Sequence, residues 1–465
     1  MAVLSEMNIS QLDFADRIDA EYFQPSFLHI AMALDGKGVK LGSLGKLVCS
    51  AFYPPATQLY ESGDIPFIRG VDVISYPIID SKQPFERIPQ YFIDQNRTVK
   101  TVSAGDIIIT KVGTPCYAGI INHDLQYAAL TRTVLGIINI DRKLVDPFYL
   151  VAFLRSDYGF YQLMREREQQ IQLQLTLERV ARINVPIPPM DIQNRIGELL
   201  QLYYSTLNDS NRMFKEAGDI LVRELNISDI SPMSKTVYFS NFSSMVASNR
   251  FDAEYFQPKY QRIVENLQSS YPSNIVSVND VVEILTNGHT PLHHDLTQGE
   301  VTFLTAEHIS DYFVNFQSEK RILYTHHENE LKRTALNIGD ILVTIKGRVG
   351  NAAIVEELHG PTNINQDVAL LRLRRDIHPY YFVGFLNSPV GKAFVEQICT
   401  GQINPFLGLG NLRRIPFPVP SEALMNHIGD AIQLKIREAR MLRKHADEVF
   451  DEAKSRVDHY IHTLE

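Results

Sequence analysis

The chain reads as an α+β protein: two tandem mixed α/β domains, each followed by a long helix, with the two helices expected to pair as an antiparallel coiled coil. Three observations give this class. The string RIDAEYFQP at Arg17–Pro25 returns as RFDAEYFQP at Arg250–Pro258 with one residue changed. Further blocks recur in a common order: PFIRGVDV from Pro66 against TFLTAEHI from Thr302, GDIIITKVG from Gly105 against GDILVTIKG from Gly339, and DPFYLVAFL from Asp146 against HPYYFVGFL from His378. The last block, VPIPPMDIQNRIGELLQL from Val185 against FPVPSEALMNHIGDAIQL from Phe417, leads in both halves from a Pro-rich break into an apolar stripe of helical period.

A repeat of roughly 230 residues far exceeds a solenoid unit, so each copy should carry its own core. The expected divisions are a first domain over 1–188, a long helix over 189–226, a linker and second domain over 227–420, and a second long helix over 421–465. Between the shared blocks the halves differ almost completely, as one framework holding two variable surfaces would. The internal repeat implies an approximate twofold relation.

Taken in order, IPFIRGV, GDIIITKV and TVLGIINI are short β-branched runs bounded by Gly, Pro and Asp, which predicts strands. The Asp146-Pro147 pair before an apolar periodic run marks a helix entrance. The segment Val185–Pro189 should then stop regular structure. After it, Ile192, Ile196, Leu199, Leu200, Tyr203, Leu207, Phe214, Ala217, Leu221 and Leu225 recur at spacings of three and four, which predicts one amphipathic helix. In the second half Ile428, Ile432, Ile436, Ala439, Leu442, Ala446, Val449, Ala453, Val457, Tyr460 and Leu464 repeat the pattern. Some 40 helical residues reach roughly 60 Å and overrun any one domain, so the two stripes should find each other. The alternative is that each packs on its own domain.

Composition bounds the class. With 45% hydrophobic and 21% charged residues, and no apolar run near a membrane span, the chain reads as soluble and globular. The opening MAVLSEMNISQLDF has no basic stretch before an apolar core, so no signal peptide is expected. Cys49, Cys116 and Cys399 are scattered, which suits a reducing cytoplasm and excludes a Cys-rich metal module. A formal net charge of −9 disfavours phosphate binding unless charge is segregated. Clusters at Lys332-Arg333, Lys346 with Arg348, Arg372 with Arg374-Arg375, and Arg413-Arg414 offer such a basic face.

DAEYFQP, GDILVTIKGRVGNAA followed by INQDVALLRL, and the Pro-rich lead into QxxIGxLL-like helices together resemble the specificity subunit of type I restriction-modification enzymes. The resemblance covers essentially the whole chain. It implies a non-catalytic, sequence-specific subunit with two target recognition domains, each reading one half of a bipartite site in duplex DNA. The helices would form the spacer and dock two DNA methyltransferase subunits and, through them, restriction subunits. No cofactor and no membrane contact are implied. The sequence agrees by omission: Tyr53-Pro54-Pro55 and Asn404-Pro405-Phe406 are incomplete versions of the adenine-methyltransferase Asn/Asp-Pro-Pro-Tyr/Phe tetrapeptide, and no phosphate-cradling GxxxxGK[ST] occurs. The competing readings are a fused DNA-modifying enzyme, for which two repeats leave no room, and a stand-alone DNA-binding regulator.

Three constellations invite other chemistry. Asp106 and Lys111 faintly resemble a metal-nuclease core, but the paired copy, Asp340 and Lys346, shifts the Lys to the other strand face. His289, His293 and His294 have metal-like spacing yet sit in an Asn-Gly and Pro loop without further ligands. Asp19 with Glu21, and Asp252 with Glu254, are identical in both halves beside aromatics, which argues for framework or a partner-docking face.

DNA contact is expected where equivalent loops differ. In the first half these are Ser50–Gln58, Arg69–Asp72, Lys111–Tyr117 and Thr131–Thr133, with Tyr53, Gln58, Arg69, Lys111, Thr114, Tyr117 and Arg132 as candidate contacts. In the second they are Asn287–His294, Thr305–His308, Lys346–Asn351 and Asn363–Asp367, with Asn287, His289, Thr290, His293, Thr305, His308, Lys346, Arg348, Asn351, Asn365 and Gln366. Arg and Lys grip guanine edges or phosphates, Asn and Gln pair with adenine, and Gly113 and Gly347 either admit close backbone approach or simply turn the chain.

Overall fold

The run Ile107–Thr110 is apolar or β-branched at every position, and all four residues are buried. A Gly-Asp turn precedes it. Gly105 takes φ +87°, and the Asp106 carboxylate accepts from the Ser103 N–H at 2.7 Å. The second half repeats this before Ile341–Thr344, with Gly339 at φ +92° and Asp340 accepting from the Asn337 N–H at 2.8 Å. The acid once compared with a nuclease carboxylate thus serves a turn in both halves.

A computed structural model describes residues 17, 19–60, 63–74, 76–168, 174–227, 237–270, 274–291, 299–401 and 405–463. The chain divides into two compact units, Met1–Asn208 with Leu442–Glu465, and Asp209–Met441. Both mix helices and sheets. Among the described residues no helix is long and apolar enough to cross a membrane.

The strands of the first unit are β1 (Val39–Lys40), β2 (Lys46–Cys49), β3 (Ile65–Ile68), β4 (Ile78–Ile79), β5 (Arg87–Ile88), β6 (Thr101–Ser103), β7 (Ile107–Thr110), β8 (Ala118–Ile121), β9 (Tyr127–Leu130), β10 (Val134–Ile138) and β11 (Asn184–Val185). The runs read as strands from the sequence are β3, β7 and β10. One sheet has the order β2-β10-β7-β8-β4 and the other β5-β3-β9-β6. Side chains alternate across a strand. Accordingly Ile107 and Ile109 enter a core shared with the helix Pro147–Arg155, while Ile108 enters another with Ile68, Val73 and Leu130. A slip of one residue would exchange both sets, so the register is fixed from two sides.

The second unit holds β12 (Ile275–Ser277), β13 (Val282–Asn287), β14 (Val301–Leu304), β15 (Ile309–Ser310), β16 (Phe313–Val314), β17 (Arg321–Ile322), β18 (Ile341–Thr344), β19 (Ala352–Ile354), β20 (Thr362–Ile364), β21 (Val368–Leu373) and β22 (Pro416–Pro418). Its sheets run β13-β21-β18-β19 and β17-β14-β20. Ile341 and Val343 enter one core and Leu342 the other, as in the first unit.

The Pro-rich segments depart from expectation. Val185 and Pro416–Pro418 lie in strands, pairing with Val39 and with Ile275–Ser277 in two-stranded ladders. Pro is tolerated there because an edge strand has one unpaired side. Each segment is also tied to the helix entered by Asp146-Pro147 or His378-Pro379. The Tyr149 hydroxyl donates to the Pro186 carbonyl at 2.8 Å, and the Tyr381 hydroxyl to that of Pro418 at 2.9 Å. Asp146 caps its helix by accepting from the Tyr149 N–H at 2.8 Å.

The two apolar stripes form single helices, Met190–Glu224 and Glu422–His462. Each unit contains a stretch of both. In the first, Ile196, Leu200 and Leu207 share a core with Ala446, Val449 and Val457, and the Tyr203 and Phe450 rings stack with centroids 4.9 Å apart. In the second, the Ser210 hydroxyl donates to the Ala439 carbonyl at 2.7 Å, and Lys435 pairs with Glu216 at 3.2 Å. Rising numbers on one helix meet falling numbers on the other within each unit, so the local pairing is antiparallel. The stripe as read needs one change: near the second helix's end Ile461, not Tyr460, is buried. Leu464 lies outside the described residues.

The repeated Arg-x-Asp string is a clamp. Arg17 pairs with Asp19 and donates to the Arg167 carbonyl at 2.6 Å, just past the helix Asp157–Arg165. Arg250 pairs with Asp252 at 2.5 Å and donates at 3.2 Å to the carbonyls of Ile398 and Cys399, at the end of the helix Pro389–Ile398. A guanidinium at helix-terminal carbonyls satisfies orphan acceptors and meets the negative end of the dipole. The acids cap the following turn, Asp19 accepting from the Tyr22 N–H at 3.1 Å and Asp252 from the Tyr255 N–H at 3.2 Å.

The Arg250 guanidinium holds the Asp252 carboxyl below the usual carboxylate range. A depressed folded-state pKa adds stability that is present above the unfolded value and is lost as pH falls through the folded one. Asp252→Asn should therefore lower the urea midpoint at pH 7, and the gap from wild type should close at acid pH. A gap constant from pH 7 to below the carboxylate range would contradict this account.

Candidate nucleic-acid interface

Strand registers decide where the variable loops fall. In the first unit β10 runs antiparallel to β7 and β2, with Val134 opposite Thr110 and Leu135 opposite Cys49. In the other sheet β3 and β9 run parallel, Ile68 beside Leu130. The ends of β2, β3, β7 and β9 therefore reach one edge, and the four expected loops all leave from it. Backbone bonds knit them: Thr131 N–H to the Ile68 carbonyl at 3.0 Å, and Lys111 N–H to the Thr133 carbonyl at 2.8 Å. The Ser50 hydroxyl donates to the Leu130 carbonyl at 2.6 Å.

The second unit builds the same edge. Val368 faces Thr344, Ala369 faces Asn287, and Leu304 lies beside Ile364. The Asn365 N–H donates to the Leu304 carbonyl at 2.9 Å, and the Ile345 N–H to the Asp367 carbonyl at 2.9 Å. A buried threonine then shapes each hairpin loop. The Thr110 hydroxyl accepts from the Tyr117 N–H at 2.9 Å and the Thr344 hydroxyl from the Asn351 N–H at 3.0 Å. Gly113 and Gly347 take φ +87° and +80° with open space beside them. Their positive φ suits a turn, and among the described residues no protein atom crowds them.

Side chains at the edge fall into two groups. Gln58, Thr114, Arg132, Lys346, Arg348 and Gln366 are exposed, and Lys111 is half-buried. Lys111, Arg132, Lys346 and Arg348 take part in no ion pair among the described residues. The other group is engaged within the protein. Arg69 is held by Asp72 at 3.3 Å and Glu86 at 2.9 Å. The Tyr53 ring packs against Phe67 and Phe92, and its hydroxyl accepts from the Arg132 N–H at 3.3 Å. Tyr117 lies against Phe160 with the Arg155 guanidinium over it. Thr290 donates to the Gln366 side chain at 2.6 Å, and Asn287 to the Gln366 carbonyl at 3.3 Å. His289 lies 3.2 Å from Glu330. Asn351 accepts from Lys392 at 3.2 Å, and buried Asn365 donates to Asp367 at 2.9 Å. His293 lies outside the described residues.

Two positions in the variable loops, one of them the candidate contact His308, perform one structural job with different chemistry. Asp72 accepts from the Arg69 N–H at 2.8 Å, and His308, at the equivalent place, accepts from the Thr305 N–H at 3.0 Å through Nδ1. Burial holds the His308 pKa down, so the neutral acceptor form persists. Of the basic clusters, Arg372 is spent on Asp340 at 2.8 Å and Arg374 on Asp376 at 3.1 Å. Arg333 instead donates to the Asn287 carbonyl at 3.3 Å and joins the edge. Sequence reasoning also passed over Phe52. It is 80% exposed, whereas its neighbour Tyr53 is packed, and the alternation of an extended segment was the available signal. Cys116 is buried in the same region, which pushes its thiol up to about 12 and leaves it inert.

Residues 35–216 match the family described as type I restriction modification DNA specificity domain. This part of the chain is similar to that family. The matched specificity domain contains all four loops of the first edge, and the family is one of DNA specificity, not of catalysis. No curated protein matches the chain. Among solved structures, the S subunit of a type I restriction-modification system from M. genitalium is 12% identical, with 90% of this chain and 94% of that one covered and a TM-score of 0.39. The HsdS subunit from Thermoanaerobacter tengcongensis is 16% identical over 77% of this chain and 81% of that one, with a TM-score of 0.28.

The buried threonine gives a test of the edge. Thr344→Val keeps the volume but orphans the Asn351 N–H, which should cost about 1–3 kcal/mol in urea denaturation. Amide exchange at Asn351 should accelerate beyond the change in global stability. Unchanged exchange there would mean that the hydroxyl does not shape the loop.

Proposed function

We propose that the chain is the non-catalytic DNA-recognition subunit of a type I restriction-modification complex, with two target recognition domains that each read one half of a bipartite duplex site. The observation that carries this reading is the edge built twice. Matching backbone bonds assemble four loops in each half, and the loops carry cations without carboxylate partners among the described residues. Such cations are free for phosphates or guanine edges, whereas Arg69 must first leave two acids. The family match covers the first edge only, and the equivalent strand registers extend the reading to the second. In this reading the recognition domains are 1–188 and 227–420, and the long helices act as a coiled-coil spacer. That spacer and the adjoining framework dock two methyltransferase subunits, through which restriction subunits join. Mapping methylated adenines in the host with and without the gene tests the function: loss of one bipartite pattern is expected, and an unchanged map would refute it.

Lys346→Ala and Arg348→Ala should each weaken site binding. A cation on a phosphate would lower the slope of log affinity against log salt by about 0.9, and one on a base edge would relax a single position by about 1–3 kcal/mol. Binding unchanged across salt concentrations would place this loop away from DNA.

A second outcome concerns spacing. Inserting seven residues after Leu207 and seven after Leu442 keeps the apolar register and lengthens the rod by about 10 Å. The mapped site should keep both half-sequences and gain about three base pairs between them, taking roughly 3.4 Å per pair. An unchanged spacer in a folded variant would refute the helices as the ruler.

A further inference from the structure

The halves mount their reading loops on the framework by different chemistry, and the difference singles out residues that lie behind the loops. In the first unit Arg155, the last residue of the helix Pro147–Arg155, reaches under two of them. Its Nε donates to the Ala118 carbonyl at 2.5 Å and an Nη to the Val73 carbonyl at 2.6 Å, while the guanidinium carbon lies 5.6 Å from the Tyr117 ring centroid. Ala118 opens β8 directly after the loop ending at Tyr117, and Val73 belongs to the short helix Gly70–Ile74 that continues from Arg69. One side chain therefore fixes two of the four loops to one helix.

The equivalent residue in the second unit is Asn387. The alignment is set by the following serines, since Ser156 and Ser388 each cap the next helix by accepting from the N–H of Gly159 and Gly391. Asn387 keeps the strand contact alone, accepting from the Ala352 N–H at 3.0 Å and donating to the Ala352 carbonyl at 2.7 Å. Ala352 opens β19 just as Ala118 opens β8. The shorter side chain makes only this one hold among the described residues, and Lys392 from the next helix supplies others. Its Nζ donates to the Gly350 carbonyl at 2.9 Å and the Asn351 side chain at 3.2 Å, and pairs with Asp311 at 2.6 Å. Asp311 follows β15, so Lys392 also joins two chain segments at this edge.

We infer that Arg155 in the first half, and Asn387 with Lys392 in the second, are positioning residues for base discrimination, acting through the loops they hold. The inference rests on the DNA-reading function proposed above. Its physical basis is the different range of the two kinds of contact. Attraction to phosphates tolerates displacement, whereas hydrogen bonds to base edges need side chains placed within about 0.5 Å. Loosening a mount should therefore erode specificity more than affinity. Lys392 is already satisfied by three protein acceptors, which sets it apart from the unpaired Lys346 and Arg348.

The test uses the full chain with its methyltransferase partners on duplexes carrying the mapped site, or the same site with one mismatch in either half. For Lys392→Ala the expected result is about a tenfold loss of discrimination at one half-site, none at the other, and an unchanged salt slope. Lys392→Arg, which keeps a donor in reach, should restore most of it. Arg155→Lys, too short to hold both carbonyls, should produce the mirror result at the other half-site. A salt slope reduced by about one contact would make Lys392 a direct DNA ligand and overturn the inference. Equal losses at both half-sites, or losses that follow melting temperature and not half-site, would reduce these residues to fold supports. A wild-type complex with no sequence preference would instead refute the DNA-reading function itself, before any variant is compared.

Discussion

The loop-bearing edge depends on one constraint, the burial of each half's central strand on both faces. Ile108 and Leu342 enter cores different from those filled by their neighbours. Each buried side chain of this kind is worth about 1.5–3 kcal/mol, so a register shift would forfeit several at once. Once β7 and β18 are fixed, the pairings with β10 and β21 follow, and with them the edge at which the loops emerge. The loops add less burial, through residues such as Cys116 and Ile364. They are held by backbone bonds to the strand ends and by a buried threonine in each half.

The framework was largely readable from the sequence because its signals are periodic or local. Alternating and continuous apolar runs named β3, β7 and β10, a three-and-four stripe named both long helices, and Asp146-Pro147 named a helix start. The errors arise where tertiary contacts outweigh the local pattern. Tyr460 fits the stripe by spacing, yet helix geometry buries Ile461. The Pro-rich segments look like breaks, yet an edge ladder tolerates Pro and pairs them.

At the candidate site the loops were readable and the roles of individual residues were not. Difference between the halves pointed to loops that the strand registers bring to one edge, but difference alone does not separate a reader from a support. Asp72 and His308 differ completely in chemistry and perform one capping task. Arg155, Asn387 and Lys392 escaped notice because they lie on framework helices, outside the loops in which contacts were sought. Exposure and the presence of a charge partner separate the two groups, and both are properties of the folded chain.

Several of the bonds that recur in both halves share one feature: their acceptors are backbone carbonyls. Tyr149 and Tyr381 donate to Pro186 and Pro418, Arg17 and Arg250 to helix-terminal carbonyls, and the fourth loop of each edge to the end of β3 or β14. A carbonyl is present whatever side chain occupies the position. Joints of this kind are indifferent to most of the sequence they join, and a substitution that spares the shaping threonines leaves them intact. Such a scaffold can acquire a new specificity through point changes or exchange of whole loops without passing through an unfolded intermediate, which gives a physical route to rapid diversification.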